Sequence, residues 1–443
     1  VRLPIPPPGR GTKTKNAEPR LQRCEILIEY AITFYIRRCL FAPKVVDCVF
    51  SPHFSHTATF MRPLEKLLRK HILGVKPYSS ARSEYPTGNA AATVGLEQQT
   101  FLDANENAFG SPNGLAFNGN AVNRYPDPLQ STLKRRIAEI KGIAAERVNT
   151  IFLGNGSDEP IDLIIRAFCE PSVIAASGEE ILGDEIIITP PTYGMYEVSA
   201  AIHNVAVCRV QLLRTLEDAS GTYTLDVAAI LNATTPRTKL IFLCSPNNPT
   251  ANVFEREAIE RIITGFDGIV VLDEAYIDFA PEHSFLPRLA DYPNVILLQT
   301  FSKAWGMAAL RLGMAFAAER IIAVLNKIKP PYNINILTQE TALQALYHTE
   351  WKDRIVHTTV RERERLAAEL EQIHIVERVF PSDANFILVQ FLDARNVYAA
   401  LVQRSIIVRD RSGVALCDDC LRITVGTPTE NRLLLDALAD IAR

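Results

Sequence analysis

An unbroken apolar run that ends in a polar turn limits this chain more than any other stretch. Val295-Ile296-Leu297-Leu298-Gln299-Thr300 leads into Phe301-Ser302-Lys303-Ala304-Trp305-Gly306, and Arg311 follows a few residues later. A short run apolar at nearly every position suits a strand buried on both faces, as in a parallel sheet covered by helices. Thirty residues upstream, Gly268-Ile269-Val270-Val271-Leu272-Asp273-Glu274-Ala275-Tyr276 repeats the design and ends in a carboxylate. In open α/β sheets the ligand crevice lies beyond the carboxyl ends of the strands, so Asp273 and Lys303 are expected to converge there.

A third element lies further upstream. Leu153-Gly154-Asn155-Gly156-Ser157-Asp158-Glu159-Pro160 precedes a segment with Ile161, Ile164, Ile165 and Phe168 at helical spacing. The free amides of that helix start would face an anion. A lysine that can capture an aldehyde, an acid for a ring nitrogen and a phosphate cradle are together the requirements of pyridoxal 5'-phosphate. Any one of them alone is weak: most lysines are solvated, and capped helices after a Gly-rich turn are common.

The combination becomes specific when the remaining motifs are read in order. These are Pro191-Thr192-Tyr193-Gly194-Met195-Tyr196, Ser245-Pro246-Asn247-Asn248-Pro249-Thr250, Asp273-Glu274-Ala275-Tyr276, Ser302-Lys303, Arg311 and Cys420-Leu421-Arg422-Ile423-Thr424-Val425-Gly426. From about Leu64 to the C-terminus the chain resembles the histidinol-phosphate aminotransferase family.

That resemblance implies a fold-type I pyridoxal-phosphate transferase, with a large, mostly parallel-sheet α/β domain and a smaller α+β C-terminal domain. It also implies a homodimer with active sites at the subunit interface. Lys303, Asp273 and Tyr276 carry the chemistry in that reading, and Tyr193 stacks on the cofactor ring. Asn248 donates to the cofactor's phenolic oxygen beside Tyr276. Thr300, Ser302, Arg311 and the amides of Ser157 and Asp158 hold its phosphate. Asn105 and Glu106 lie over the site from the N-terminal arm, and Tyr125 reaches the phosphate of the neighbouring subunit. Arg409 and Arg422 grip the substrate. The implied reaction converts L-histidinol phosphate and 2-oxoglutarate to imidazole acetol phosphate and L-glutamate, in L-histidine biosynthesis. The chain departs from the family pattern at Ala251, where glycine is usual, so the conformation of that turn is open.

Other readings share the fold. An aromatic or broad-range aminotransferase and a phosphothreonine decarboxylase use the same scaffold, which by itself does not choose among them. A non-catalytic, cofactor-sensing regulator is a more distant alternative, and residues 1–60 show no helix-turn-helix to support it.

Composition bounds the rest. At 443 residues and 47% hydrophobic the chain can bury a large core and a smaller second one. A net charge of −3 without a long basic run gives no case for nucleic acid, and no apolar run nears the roughly 20 residues that span a bilayer. Eight scattered cysteines read as reduced thiols of a cytoplasmic protein, and Cys417-Asp418-Asp419-Cys420 lacks the second pair a zinc site needs; no metal is expected.

Residues 1–60 are Pro-rich at the start and carry nine Lys or Arg against four Asp or Glu. They read as a disordered or non-native leader, with the functional protein expected to begin at or near Met61. The arm is placed at 61–125, the large domain at 126–329 and the small domain at 330–443. Helices are expected at Leu129–Ile140 and Arg354–Glu371, strands at Val148–Leu153 and Ile406–Asp410, and a mobile surface loop over Pro171–Asp184. Alternation of strand and helix through Ala317 predicts a parallel sheet with crossover helices.

Overall fold

The two apolar runs form adjacent central strands. In the computed structural model, which describes residues 61–77, 102–118, 120–215 and 221–443, every residue of Ile269–Asp273 and Val295–Thr300 is buried. The expected leader and most of the polar stretch after Pro77 lie outside the described residues; residue 77 is the last described before that gap.

The large sheet has seven strands: β1 (Ile151–Asn155), β2 (Glu185–Ile188), β3 (Ala206–Arg209), β4 (Thr238–Cys244), β5 (Ile269–Asp273), β6 (Val295–Thr300) and β7 (Leu312–Ala317). Their order is β1-β7-β6-β5-β4-β2-β3. Period-two alternation sends Leu153, Ile187, Ile241, Val270 and Leu297 to one hydrophobic cluster, and Phe152, Ile186, Phe242, Val271 and Ile296 to the other. Each such side chain contributes about 1.5–3 kcal/mol when fully buried, so the central strands are held from both faces.

The sheet is mostly parallel as expected, and β7 is its exception, running antiparallel to both β6 and β1. The link between β6 and β7 contains only a single 3-10 turn, Ala308–Leu310. A parallel return needs a crossover of roughly a dozen residues or more, usually a helix, so this shorter link reverses the chain. Lys303 and Arg311 are thereby carried on one loop at one end of the sheet.

Local boundaries also shift. The helix expected from Leu129 begins at Ser131, after Gln130 in the left-handed region (φ 52°). The first half of the Val148–Leu153 strand is instead part of the 3-10 segment Ala145–Thr150. Pro171–Asp184 contains an exposed hairpin, Val173–Ile174 with Glu180–Ile181. The Ile406–Asp410 strand shrinks to two residues, following Ser405 at φ 61°.

A second, antiparallel sheet has the order β8 (Val376–Val379), β9 (Phe386–Phe391), β11 (Cys420–Thr424), β10 (Arg409–Asp410). The helices Thr349–Leu370, Ala394–Gln403 and Pro428–Ile441 cover it through Leu366, Leu401 and Leu438. The last helix starts with a capping box between Thr427 and Glu430.

Packing joins segments far apart in the chain. Leu64, Leu67 and Ile72 are buried with the large sheet, and Arg62 pairs with Asp267 at 3.0 Å, so the first described residues pack into that core. Ile334, Ala342 and Leu346 likewise join the large-sheet core beyond residue 330. Among the described residues no helix is long and apolar enough to cross a membrane.

Candidate active site

Three strand ends and two turns build one cavity. β1 ends at Asn155 and turns through Gly156 (φ 68°) into Ser157 and the helix Asp158–Phe168, β5 ends at Asp273, and β6 ends at Thr300. The register sets Asp273 beside Leu298, Thr300 beside Gly313 and Leu312 beside Asn155, which brings these termini together. The cavity, of about 140 Å³, is lined by Ser157, Asp158, Tyr193, Asn248, Asp273, Tyr276, Thr300, Ser302, Lys303 and Arg311. These ten were candidates from the sequence; Cys244, Ala275 and Ala308, which also line the cavity, were not.

One cluster within it suits a phosphate. Ser302 Oγ lies 3.0 Å from Thr300 Oγ1 and 3.4 Å from Arg311 Nη1, while Arg311 Nη2 is 3.3 Å from Asp158 Oδ2. Ser157 precedes the helix without spending its hydroxyl on a side-chain cap, so the helix start keeps donors for an anion. A β-carbon on Gly156 would sit 2.6 Å from Arg311 Nη2, so glycine at this left-handed position leaves room for the guanidinium.

Asp273 supplies a buried acid. It is 2% exposed, accepts from Tyr196 Oη at 2.7 Å and from the Ala275 amide at 3.1 Å. Burial pushes its carboxyl up to about 6, against the pull of those two hydrogen bonds. Lys303 Nζ lies 5.3 Å from the Tyr276 ring centre. Burial, then the neighbouring Arg422 cation, lowers the Lys303 amine below its usual range, with Asp273 opposing. A lysine so placed gives up its proton more readily, as a nucleophile or base requires. Burial is also the main reason the Tyr276 and Tyr193 phenols are raised.

Asn248 Oδ1 accepts from Arg422 Nη1 at 2.5 Å, which leaves the amide nitrogen as its donor. Tyr193 is fixed by donating to Asp158 Oδ1 at 2.9 Å and by an edge contact with Tyr196. Ala251 takes φ 69°, the left-handed conformation for which glycine is usual, at a cost of about 1–2 kcal/mol. Its peptide is held by bonds from its amide to Asn247 O (2.8 Å) and from the Asp383 amide to its carbonyl (2.9 Å).

A second cavity of about 580 Å³ shares Tyr193, Asn248, Tyr276 and Lys303 with the first, and is walled by Arg409, Arg411 and Arg422. Asn105, Glu106 and Tyr125 line neither cavity in this chain. Glu106 instead pairs with Arg124 at 2.8 Å and accepts from the Tyr125 amide at 2.7 Å, so its carboxylate braces its own segment. Tyr125 is 51% exposed and stacks on Tyr332 at 4.5 Å.

A buried acid, an activated lysine and an anion cradle at strand ends fit pyridoxal phosphate. Comparison with known proteins agrees. The family model for aminotransferase class I and II matches residues 96–438. The chain belongs to this family. Histidinol-phosphate aminotransferase from Cytophaga hutchinsonii is 51% identical over 375 residues, covering 85% of this chain and 98% of that protein. The enzyme of the same name from Parabacteroides distasonis is 47% identical over 381 residues, 86% of this chain and 99% of the relative. Among solved structures, histidinol-phosphate aminotransferase from Sinorhizobium meliloti in complex with pyridoxal-5'-phosphate superposes with a TM-score of 0.62 at 23% identity, covering 83% of this chain and 97% of that one. At that identity the likeness shows the fold.

Two residues of this aminotransferase escaped the sequence reading. Tyr196 stands in a motif that was recognised, but nothing in one dimension pairs it with Asp273. Arg411 left a visible trace, the alternation Arg409-Asp410-Arg411, which on a strand puts both cations on one face.

The raised Asp273 carboxyl sets a pH dependence for the aminotransferase. Because its folded value exceeds the unfolded one, the stability it lends the cofactor-free chain is present in acid and is lost as pH rises from about 4 through about 6. If Asp273 is the partner of the cofactor's ring nitrogen, cofactor affinity is expected to move the other way, since only the carboxylate pairs with a protonated ring nitrogen. Pyridoxal phosphate is expected to bind progressively more weakly as pH falls below about 6. Titrations of the wild type and Asp273→Asn across that range check this. A pH profile unchanged by the substitution would refute the role of Asp273.

Proposed function

We propose that this aminotransferase moves the amino group of L-histidinol phosphate to 2-oxoglutarate, forming imidazole acetol phosphate and L-glutamate in L-histidine biosynthesis. The observation that carries this reading is the arginine wall beside Lys303. Arg409 stands directly across from Arg422 in the β10–β11 register, and neither forms an ion pair with a described carboxylate. Histidinol phosphate has no carboxylate but carries a phosphate dianion, which calls for more than one cation. The names of the relatives at 42–51% identity point the same way.

When bound, pyridoxal phosphate supplies an electron sink for the substrate's Cα. Lys303 attaches it and moves the Cα proton, and Asp273 keeps the ring nitrogen protonated. Asn248 and Tyr276 address the phenolic oxygen, Tyr193 the ring face, and Ser157, Asp158, Thr300, Ser302 and Arg311 the phosphate end. Arg409 and Arg422 clamp the substrate phosphate, and Arg422 alone takes a carboxylate of glutamate.

The test is a side-by-side assay with histidinol phosphate, phenylalanine and threonine phosphate. Histidinol phosphate is expected to be the preferred substrate. A preference for phenylalanine, or decarboxylation of threonine phosphate, would replace the assignment. Arg409→Ala should lower kcat/KM for histidinol phosphate about ten- to a hundredfold and spare the glutamate half-reaction, while Arg422→Ala should damage both. Equal losses from Arg409→Ala on both substrates would remove the phosphate clamp.

A further inference from the structure

The arginine wall holds a third cation that the two-arginine clamp leaves unused. The Arg411 amide donates to Cys420 O at 2.9 Å, two residues along from the facing pair Arg409 and Arg422. Strand alternation therefore puts Arg411 on the same face as Arg409 and Arg422, and Asp410 on the other. Asp410 does not neutralise them: its Oδ1 accepts from the Ser412 amide at 2.8 Å.

All three arginines wall the same second cavity, which also reaches Lys303, Tyr276 and Asn248. Among the described residues none of the three has a carboxylate at ion-pair distance, and the Nε atoms of Arg411 and Arg422 are buried without an acceptor. Burial, then Arg422 and Arg409, hold the Arg411 guanidinium below its usual range. Like charges facing each other across strands, with buried donors left over, are unfavourable by themselves. An anion with several acceptor oxygens removes both penalties together. A carboxylate offers one edge to one guanidinium fork, whereas a phosphate monoester offers three terminal oxygens.

We propose that Arg411 is a specificity-determining residue that, with Arg409 and Arg422, forms a three-arginine site for the substrate's phosphate monoester. This rests on the reading of the substrate as histidinol phosphate. Arg411 selects the phosphorylated amine over its phosphate-free counterpart.

The experiment compares holoenzyme of the wild type, Arg411→Gln and Arg411→Lys, measuring histidinol phosphate turnover with inorganic phosphate and histidinol as competitive inhibitors. Arg411→Gln is expected to reduce kcat/KM for histidinol phosphate by about ten- to a hundredfold, carried by KM, and to weaken inhibition by inorganic phosphate. Inhibition by histidinol, which lacks the phosphate, stays the same. Arg411→Lys keeps the charge without the fork and should give a smaller shift of the same selectivity, which provides the readout if the glutamine variant folds poorly. Equal weakening of phosphate and histidinol binding, or none of either, overturns the role of Arg411. Failure of the wild type to use histidinol phosphate overturns the substrate reading and this inference together, whereas an active wild type indifferent to both substitutions overturns this inference alone.

Discussion

Lys303→Ala is expected to lower amino transfer by about 10⁴-fold or more, equivalent to roughly 5 kcal/mol of barrier, with the fold intact. In the proposed mechanism the lysine combines two functions on one amine: covalent attachment of the cofactor and movement of the substrate's Cα proton. Its position allows both, since it stands on the β6–β7 loop in the cavity that Asp273, Tyr276 and Asn248 also line. Burial, then Arg422, depresses its proton affinity, so it gives up its proton more readily than a free lysine does. Removing a partly desolvated cation beside another cation should leave unfolding little changed. The decisive measurement is borohydride reduction of the wild-type holoenzyme followed by peptide mapping. The label should fall on Lys303, and a label on any other lysine would sink the assignment.

Gly313→Ala is expected to cost about 3 kcal/mol or more of stability and to weaken cofactor binding, although residue 313 touches neither substrate nor chemistry in the proposed mechanism. An added β-carbon would lie 2.3 Å from Gly156 C, 2.4 Å from Gly156 O and 2.5 Å from Ser157 N. Those are backbone atoms, so no side-chain rotation relieves the overlap. Gly313 pairs with Thr300 on one side and Gly154 on the other. Either β7 separates from its neighbours or the turn that presents Ser157 and the helix start moves, and the phosphate cradle is lost in both cases. Denaturant unfolding and cofactor titration test the two consequences. A variant with wild-type stability and affinity would show that the turn has room the geometry denies it.

The chemistry of the site was legible in the sequence because its residues sit at the ends of unusually clear strands. Runs such as Val295–Leu298 and Ile269–Leu272 can be satisfied only by burial on both faces, so the polar groups that follow, Asp273 and Lys303, had to emerge at strand ends. Gly156 before Ser157 likewise announced a helix start with free donors. Composition excluded a long basic surface in the same way, by what the chain lacks.

Strand direction was not legible, since an apolar run reads alike both ways. β7 looked like another parallel strand, and only the short link through Ala308–Leu310 made it return antiparallel. Contacts between distant positions were equally hidden: Tyr196 on Asp273, Asn248 on Arg422, and Glu106 turned to Arg124 instead of the cavity. The burial of Leu64 and Ile334 against strands far along the chain was hidden in the same way. Local sequence by itself determined which groups could act, through residue type and the period of burial. Tertiary structure decided which of them meet, because register and packing depend on the pairing of segments far apart. Arg409, Arg411 and Arg422 show the difference: three separate arginines in the sequence become one cationic wall only when β10 is laid against β11.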